Sequence, residues 1–142
     1  MRHEAAEAVG AIGCPGYESY MEELEKSDPH VEVRETAHLA HKRLKFVKNE
    51  TGQDFNSTDF GSVDPTPPSE ETDIEKLTVM FMDKGASLWE RYRAMFALRN
   101  LSKNDKKAVD ALCVGFQVKN FFEYFRKTKK LFLGPRLGAL SS

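Results

Sequence analysis

Small and branched apolar residues recur at helical spacing in three related stretches of the chain. Arg2, Ala5, Ala8 and Ile12 stand at relative positions 0, 3, 6 and 10, and Arg34, Ala37, Ala40 and Leu44 repeat the pattern 32 residues later. Arg91, Ala94, Ala97 and Leu101 form a third copy, 57 residues further on. Positions so spaced lie along one helical face, where alanines admit a second helix closely and the branched residue fills the remaining gap. Each copy therefore predicts the inner helix of a helical hairpin. Partner helices are expected at Tyr17–Lys26, with Tyr17, Tyr20, Met21 and Leu24 on one face, and at Lys106–Phe116. A third follows Thr72, which with Glu75 reads as a capping box ahead of an apolar run.

Turn signals separate these elements. Gly13 to Gly16 follow the first copy, and Ser27-Asp28-Pro29 precede the second, with Asp28 expected as the N-cap and Pro29 in the first helical position. Met1 stands directly against the helical pattern with no capping residue before it, so the sequence reads as beginning inside a repeat. Hairpins of about 30 residues that repeat one packing face cover their apolar sides by stacking. The expected fold is therefore all-α, an α-solenoid in two short stacks. Residues 49–71 carry six acids, no basic residue, and Pro65, Pro67 and Pro68, which is the composition of a linker. Phe55, Phe60 and Val63 suggest that this linker packs on a surface. The chain thus divides into 1–48, the linker 49–71, 72–118, and a divergent tail 119–142.

Composition narrows the picture further. The chain has 142 residues, is 40% hydrophobic and 30% charged, and carries a formal net charge of -1, as a globular protein without a whole-molecule field for nucleic acid does. No stretch approaches the roughly 18 apolar residues needed to cross a bilayer. Cys14 and Cys113 lack disulfide or zinc spacing and read as reduced, buried residues of a cytoplasmic protein.

Several segments together, "RHEAAEAVGAIG", "DPHVEVRETAHLAHKRL", "SVDPTPP" and "ERYRAMFALRNL", resemble the deoxyhypusine hydroxylases across roughly residues 1–116. The resemblance implies a HEAT-repeat fold in two halves, a di-iron centre, and dioxygen-dependent hydroxylation of the deoxyhypusine side chain of a translation factor. It also implies that four His-Glu pairs ligate iron, of which His3 and Glu4 represent the second. The first would lie before Met1. Lys127 and Thr128 stand where the third is due, after Phe125-Arg126, and nothing follows to supply the fourth. Three, six and ten positions beyond Arg126 lie Lys129, Phe132 and Arg136, so the packing face of the repeat is lost there as well. The chain as given is therefore expected to be an incomplete, inactive form. The other class of function compatible with these features is a non-catalytic HEAT-repeat interaction module.

Other candidate chemistry is weaker. A di-iron site needs about six protein ligand atoms, more than one adjacent imidazole and carboxylate supply. His38 and His41 share a helical face and read as polar surface, and His30 as a first-turn residue beside Pro29. Arg34 is expected to tie its helix to a neighbouring carbonyl or carboxylate instead of acting in catalysis with Glu35. The resemblance further implies that the basic translation factor docks on an acidic face, of which Glu18, Glu22, Glu23, Glu25 and Glu50 are candidate members. The tail from Lys119 to Lys130 interleaves aromatic and basic residues without a nucleic-acid motif, and no catalytic triad or phosphate loop appears.

Overall fold

The computed structural model describes residues 1–49 and 60–117. Six helices follow one another among these residues: α1 Arg2–Ile12, α2 Glu18–Ser27, α3 Val31–Asn49, α4 Ile74–Met82, α5 Leu88–Leu101 and α6 Lys106–Gln117. The all-α expectation holds. Helices α1 and α2 both lie against α3, α4 and α6 lie against α5, and α3 meets α5. Two apolar cores result. Ala6, Met21, Ala40 and Leu44 form the first, and Leu77, Ala94, Ala97, Leu98, Ala108 and Ala111 the second.

The repeated face does the packing in two of its three copies. Ala37, Ala40 and Leu44 are buried on α3, as are Ala94 and Ala97 on α5, with Leu101 half-buried. In α1 the expectation fails: Ala5 and Ala8 are exposed and Ile12 is 74% exposed, while Ala6 and Gly10 are buried. The cause is the neighbour. Among the described residues α1 packs chiefly on α3, whereas α3 lies between α1, α2 and α5. Gly10 sets the closest approach of α1 to α3, because a Cβ there would stand 3.0 Å from both Cα and Cβ of Ala40. On α2, Met21 is buried, but Tyr17 and Tyr20 are 49% and 56% exposed, so the expected four-residue face is narrower than its spacing suggested.

Helix starts differ from expectation by a residue or two. Asp73, not Thr72, caps α4, its side chain accepting hydrogen bonds from the backbone N–H groups of Glu75 and Lys76. Asp28 caps the C-terminal end of α2, and α3 begins only at Val31. Its side chain accepts from the His30 N–H in a local turn that competes with capping α3. The first turn of α3 instead closes on the His30 carbonyl, to which Arg34 N–H donates. Gly13, at φ 69°, provides the left-handed residue that ends α1.

Residues 60–71 pack against the helices, but not through the apolar residues expected: Phe60 and Val63 are 45% and 46% exposed. Asp64, Thr66 and Pro67 are buried. Asp64 joins the two cores: its carboxylate accepts from Arg99 Nη1 and Nη2 at 2.8 and 2.6 Å, and its backbone carbonyl accepts from Arg43 Nη1 at 2.6 Å. Phe60 lies under the guanidinium of Arg99, 4.5 Å from it, and under the ammonium of Lys103. Phe55 and the tail residues lie outside the described residues. Both cysteines are free and exposed, against the expectation of burial. Cys14 sits in the turn beyond Gly13, and Cys113 lies off the inner stripe of α6 that Ala108, Ala111 and Val114 occupy. No described helix is long and apolar enough to cross a membrane.

Candidate functional site

His3 and Glu4 occupy the first turn of α1, where a carboxylate meets the positive end of the helix dipole. His3 Nε2 stands 3.1 Å from Glu4 Oε1, and the two side chains are 46% and 63% exposed. The neighbouring Arg2 anchors this turn. Its guanidinium pairs with the carboxylate of Asp28, whose side chain is 1% exposed. Arg34 Nη1 donates to the Asp28 carbonyl at 2.7 Å, and Arg91 Nε to the Phe81 carbonyl at 3.1 Å. The repeat arginines thus tie each helix to the C-terminal end of a neighbouring one, Asp28 after α2 and Phe81 near the end of α4, as expected of Arg34. The backbone beneath His3 and Glu4 is fixed, while the pair itself faces outward.

A mononuclear or dinuclear metal centre requires several donors converging on one point. Among the described residues no group of three or more His, Cys, Asp or Glu side chains is placed to hold a metal ion. The donors among the described residues therefore do not make up a complete di-iron centre, and among them no third ligand joins the His3–Glu4 pair.

The histidines of α3 are not the polar surface that their spacing suggested. His41 is 5% exposed, and its Nδ1 lies 2.9 Å from Glu25 Oε2, while His38 Nδ1 lies 2.8 Å from Glu25 Oε1. Burial pushes the Glu25 carboxyl up, but hydrogen bonds from both imidazoles and their charge outweigh it and hold the group below its ordinary value. An ionised carboxylate accepts and does not donate, so each Nδ1 carries the proton. Nε2 of each ring is buried and has no hydrogen-bond partner among the described residues. The expected acidic face is also largely spent on local pairs: Glu18 faces Lys48, Glu22 faces Lys26, and Glu25 holds the two histidines. Glu50 lies outside the described residues.

Two features escaped the sequence. One is Asp64 as the junction between cores, for which its place in the buried "DPTPP" run was the available signal. The other is a cavity of about 130 Å³ between α1, α3, α5 and the linker, lined in part by Glu7, Leu39, Val63 and Tyr92. These residues are distant in sequence, and no motif connects them.

Comparison with known proteins identifies the lineage. No family model matches the chain. The deoxyhypusine hydroxylase of Gallus gallus is 47% identical over 117 residues, covering 82% of this chain and 38% of the chicken protein. That of Drosophila melanogaster is 38% identical over 135 residues, covering 94% of this chain and 43% of its own length. The solved structure of human deoxyhypusine hydroxylase in complex with glycerol superposes with a TM-score of 0.73 at 42% identity, over 83% of this chain and 40% of the human one. In sequence and in fold, the chain is homologous to the deoxyhypusine hydroxylases, over a segment of about two fifths of their length.

Proposed function

We propose that this chain is a segment of a deoxyhypusine hydroxylase system, in which His3 and Glu4 are one of the ligand pairs of an iron centre. The reaction of that system is dioxygen-dependent hydroxylation of the deoxyhypusine side chain of a cytoplasmic translation factor. What carries this reading is the exposed His3–Glu4 pair at the head of a repeat helix in a chain homologous to the hydroxylases. The same pair limits it. A single imidazole and carboxylate fall short of the roughly six ligand atoms of a di-iron site, so the described residues by themselves do not complete one. The division into 1–48, 49–71, 72–118 and 119–142 belongs to the same reading, with the two cores as parts of two halves.

Metal analysis tests the proposal. The purified chain, incubated anaerobically with ferrous iron and desalted, is expected to retain far less than one iron per chain. It should add no oxygen to a deoxyhypusine-bearing substrate. Mixing it with a polypeptide that supplies further His-Glu pairs should raise the retained iron, and His3→Ala should abolish the increase. Two irons held per isolated chain, or a gain indifferent to His3→Ala, would overturn the reading.

The absence of a third ligand among the described residues also favours a second reading, a HEAT-repeat module that binds the translation factor without chemistry. A complex with the factor that survives His3→Ala, in the absence of any iron gain on mixing, would select it.

A further inference from the structure

Residues 61–73 run without helix or strand, as Pro65, Pro67 and Pro68 require, and Ser62, Ser69 and Thr72 present hydroxyls along this segment. The charges around the three differ. Ser62 Oγ donates to Asp64 Oδ1 at 2.9 Å, so a negative group on Ser62 would face a carboxylate. Thr72 stands between Glu71 and Asp73, with Glu75 three residues on, and Lys76 already pairs with Glu71 at 3.4 Å. Ser69 instead lies against a cation that no carboxylate neutralises. Arg93 on α5 holds the peptide between Pro68 and Ser69 by both of its ends. Its backbone carbonyl accepts from the Ser69 N–H at 3.0 Å, and its Nη2 donates to the Pro68 carbonyl at 3.3 Å. Nε of Arg93 is buried without a hydrogen-bond partner, and among the described residues no carboxylate pairs with this guanidinium. A half-buried guanidinium with one long carbonyl contact has donors to spare, and their geometry suits an oxyanion.

We propose that Ser69 is a phosphorylation site for an acid-directed kinase, and that Arg93 receives the phosphate. Glu70, Glu71 and Asp73 follow the serine and supply the acidic flank that a kinase with a basic substrate groove selects. The Ser69 hydroxyl accepts the Glu71 N–H at 3.3 Å and donates to no group among the described residues. Local opening of this irregular segment presents it to the kinase. The γ-phosphoryl of a nucleoside triphosphate then passes to Ser69 Oγ. The bond from phosphorus to the β–γ bridging oxygen breaks, a P–Oγ bond forms, the diphosphate leaves, and the hydroxyl proton goes to the kinase's base. The product carries about 1.5 to 2 negative charges, and its oxygens are acceptors for the guanidinium, the idle Nε–H included. Glu70 and Glu71 oppose it weakly. Glu70 is exposed, and the Glu71 carboxylate is taken up by the N–H groups of Thr72 and Asp73 and by Lys76. Phosphorylation therefore straps residues 68–69 to α5.

The test treats the full chain with an acid-directed serine/threonine kinase and magnesium ATP. Intact mass should rise by about 80 Da, one phosphoryl group, and fragmentation should place it on Ser69. Ser69→Ala should abolish the gain, and Thr72→Ala should leave it. Phosphorus NMR then follows the second ionisation of the phosphate against pH. In the folded chain it should fall about one pH unit below that of a phosphopeptide spanning 62–76, a tenfold preference of the guanidinium for the dianion. Arg93→Gln should bring the two titrations together, and Arg93→Lys should recover part of the difference. No phosphate on Ser69, transfer confined to Thr72, coincident titrations of chain and peptide, or a difference that survives Arg93→Gln in a folded chain would overturn the proposal. Should Arg93→Gln unfold the chain, the comparison of unsubstituted chain and peptide decides by itself. Iron takes no part, so the outcome is independent of the His3–Glu4 assignment.

Discussion

Thr66 is fully buried, and its hydroxyl oxygen has no hydrogen-bond partner among the described residues. A buried polar group without a partner carries its desolvation cost unrelieved, so Thr66→Val is expected to stabilise the protein by about 1 kcal/mol, read as a higher midpoint in urea unfolding. Glu25 shows the opposite case, a carboxylate well supplied with donors. Its pKa in the folded state lies below the ordinary carboxylate value, so its stabilising contribution is present above that value and is lost as pH falls through the folded-state pKa. Glu25→Gln should therefore lower stability at neutral pH and flatten the acid limb of a stability profile followed by circular dichroism. An unchanged profile would mean that the two imidazole contacts contribute nothing net. The spacing of His38 and His41 was legible in the sequence. Their burial was not, because it depends on a carboxylate from a different helix.

At the scale of the element, caps and close approaches decide where helices begin and how near they lie. Asp73→Ala removes the acceptor for two backbone N–H groups at the start of α4 and should cost about 1 kcal/mol, with Thr72→Ala nearly silent. The reverse ranking would restore the capping box that the sequence suggested. Gly10→Val places a branched side chain where a Cβ would already stand 3.0 Å from Ala40, so α1 must move away from α3. Overpacking of this kind costs about 1–3 kcal/mol, against a small gain from removing a mid-helix glycine, and thermal unfolding should register the net loss. The alanine stripe identified the packing faces of α3 and α5 correctly. It misassigned α1 because the pattern specifies which positions can accept a neighbour and not whether a neighbour lies there.

For the whole molecule, the junction at Asp64 governs how the two cores act together. The carboxylate side chain is 6% exposed and pairs with Arg99, whose side chain is 21% exposed, while its carbonyl receives buried Arg43. Removing one partner of a largely buried ion pair leaves the other charge without compensation, at a cost of about 3 kcal/mol. Asp64→Ala should therefore lower stability by that order. It should also separate a single calorimetric transition into two, as the cores lose their common anchor. A single transition at an unchanged midpoint would show that the α3–α5 contact couples the cores without it.

Periodicity, turn residues and the proline-bearing acidic segment were enough to establish an all-α chain of repeated hairpins, because those signals reflect local backbone preference and the side-chain spacing of a single helix. The His3–Glu4 pair was equally legible, as its members are adjacent in sequence. The tertiary structure decided what depends on distant partners: the buried Glu25–His38–His41 cluster, the Asp64 junction, the exposed outer face of α1, and the cavity beside Glu7. Each of these arises where residues far apart in the chain share one desolvated space, and a linear pattern carries no record of which residues will share it.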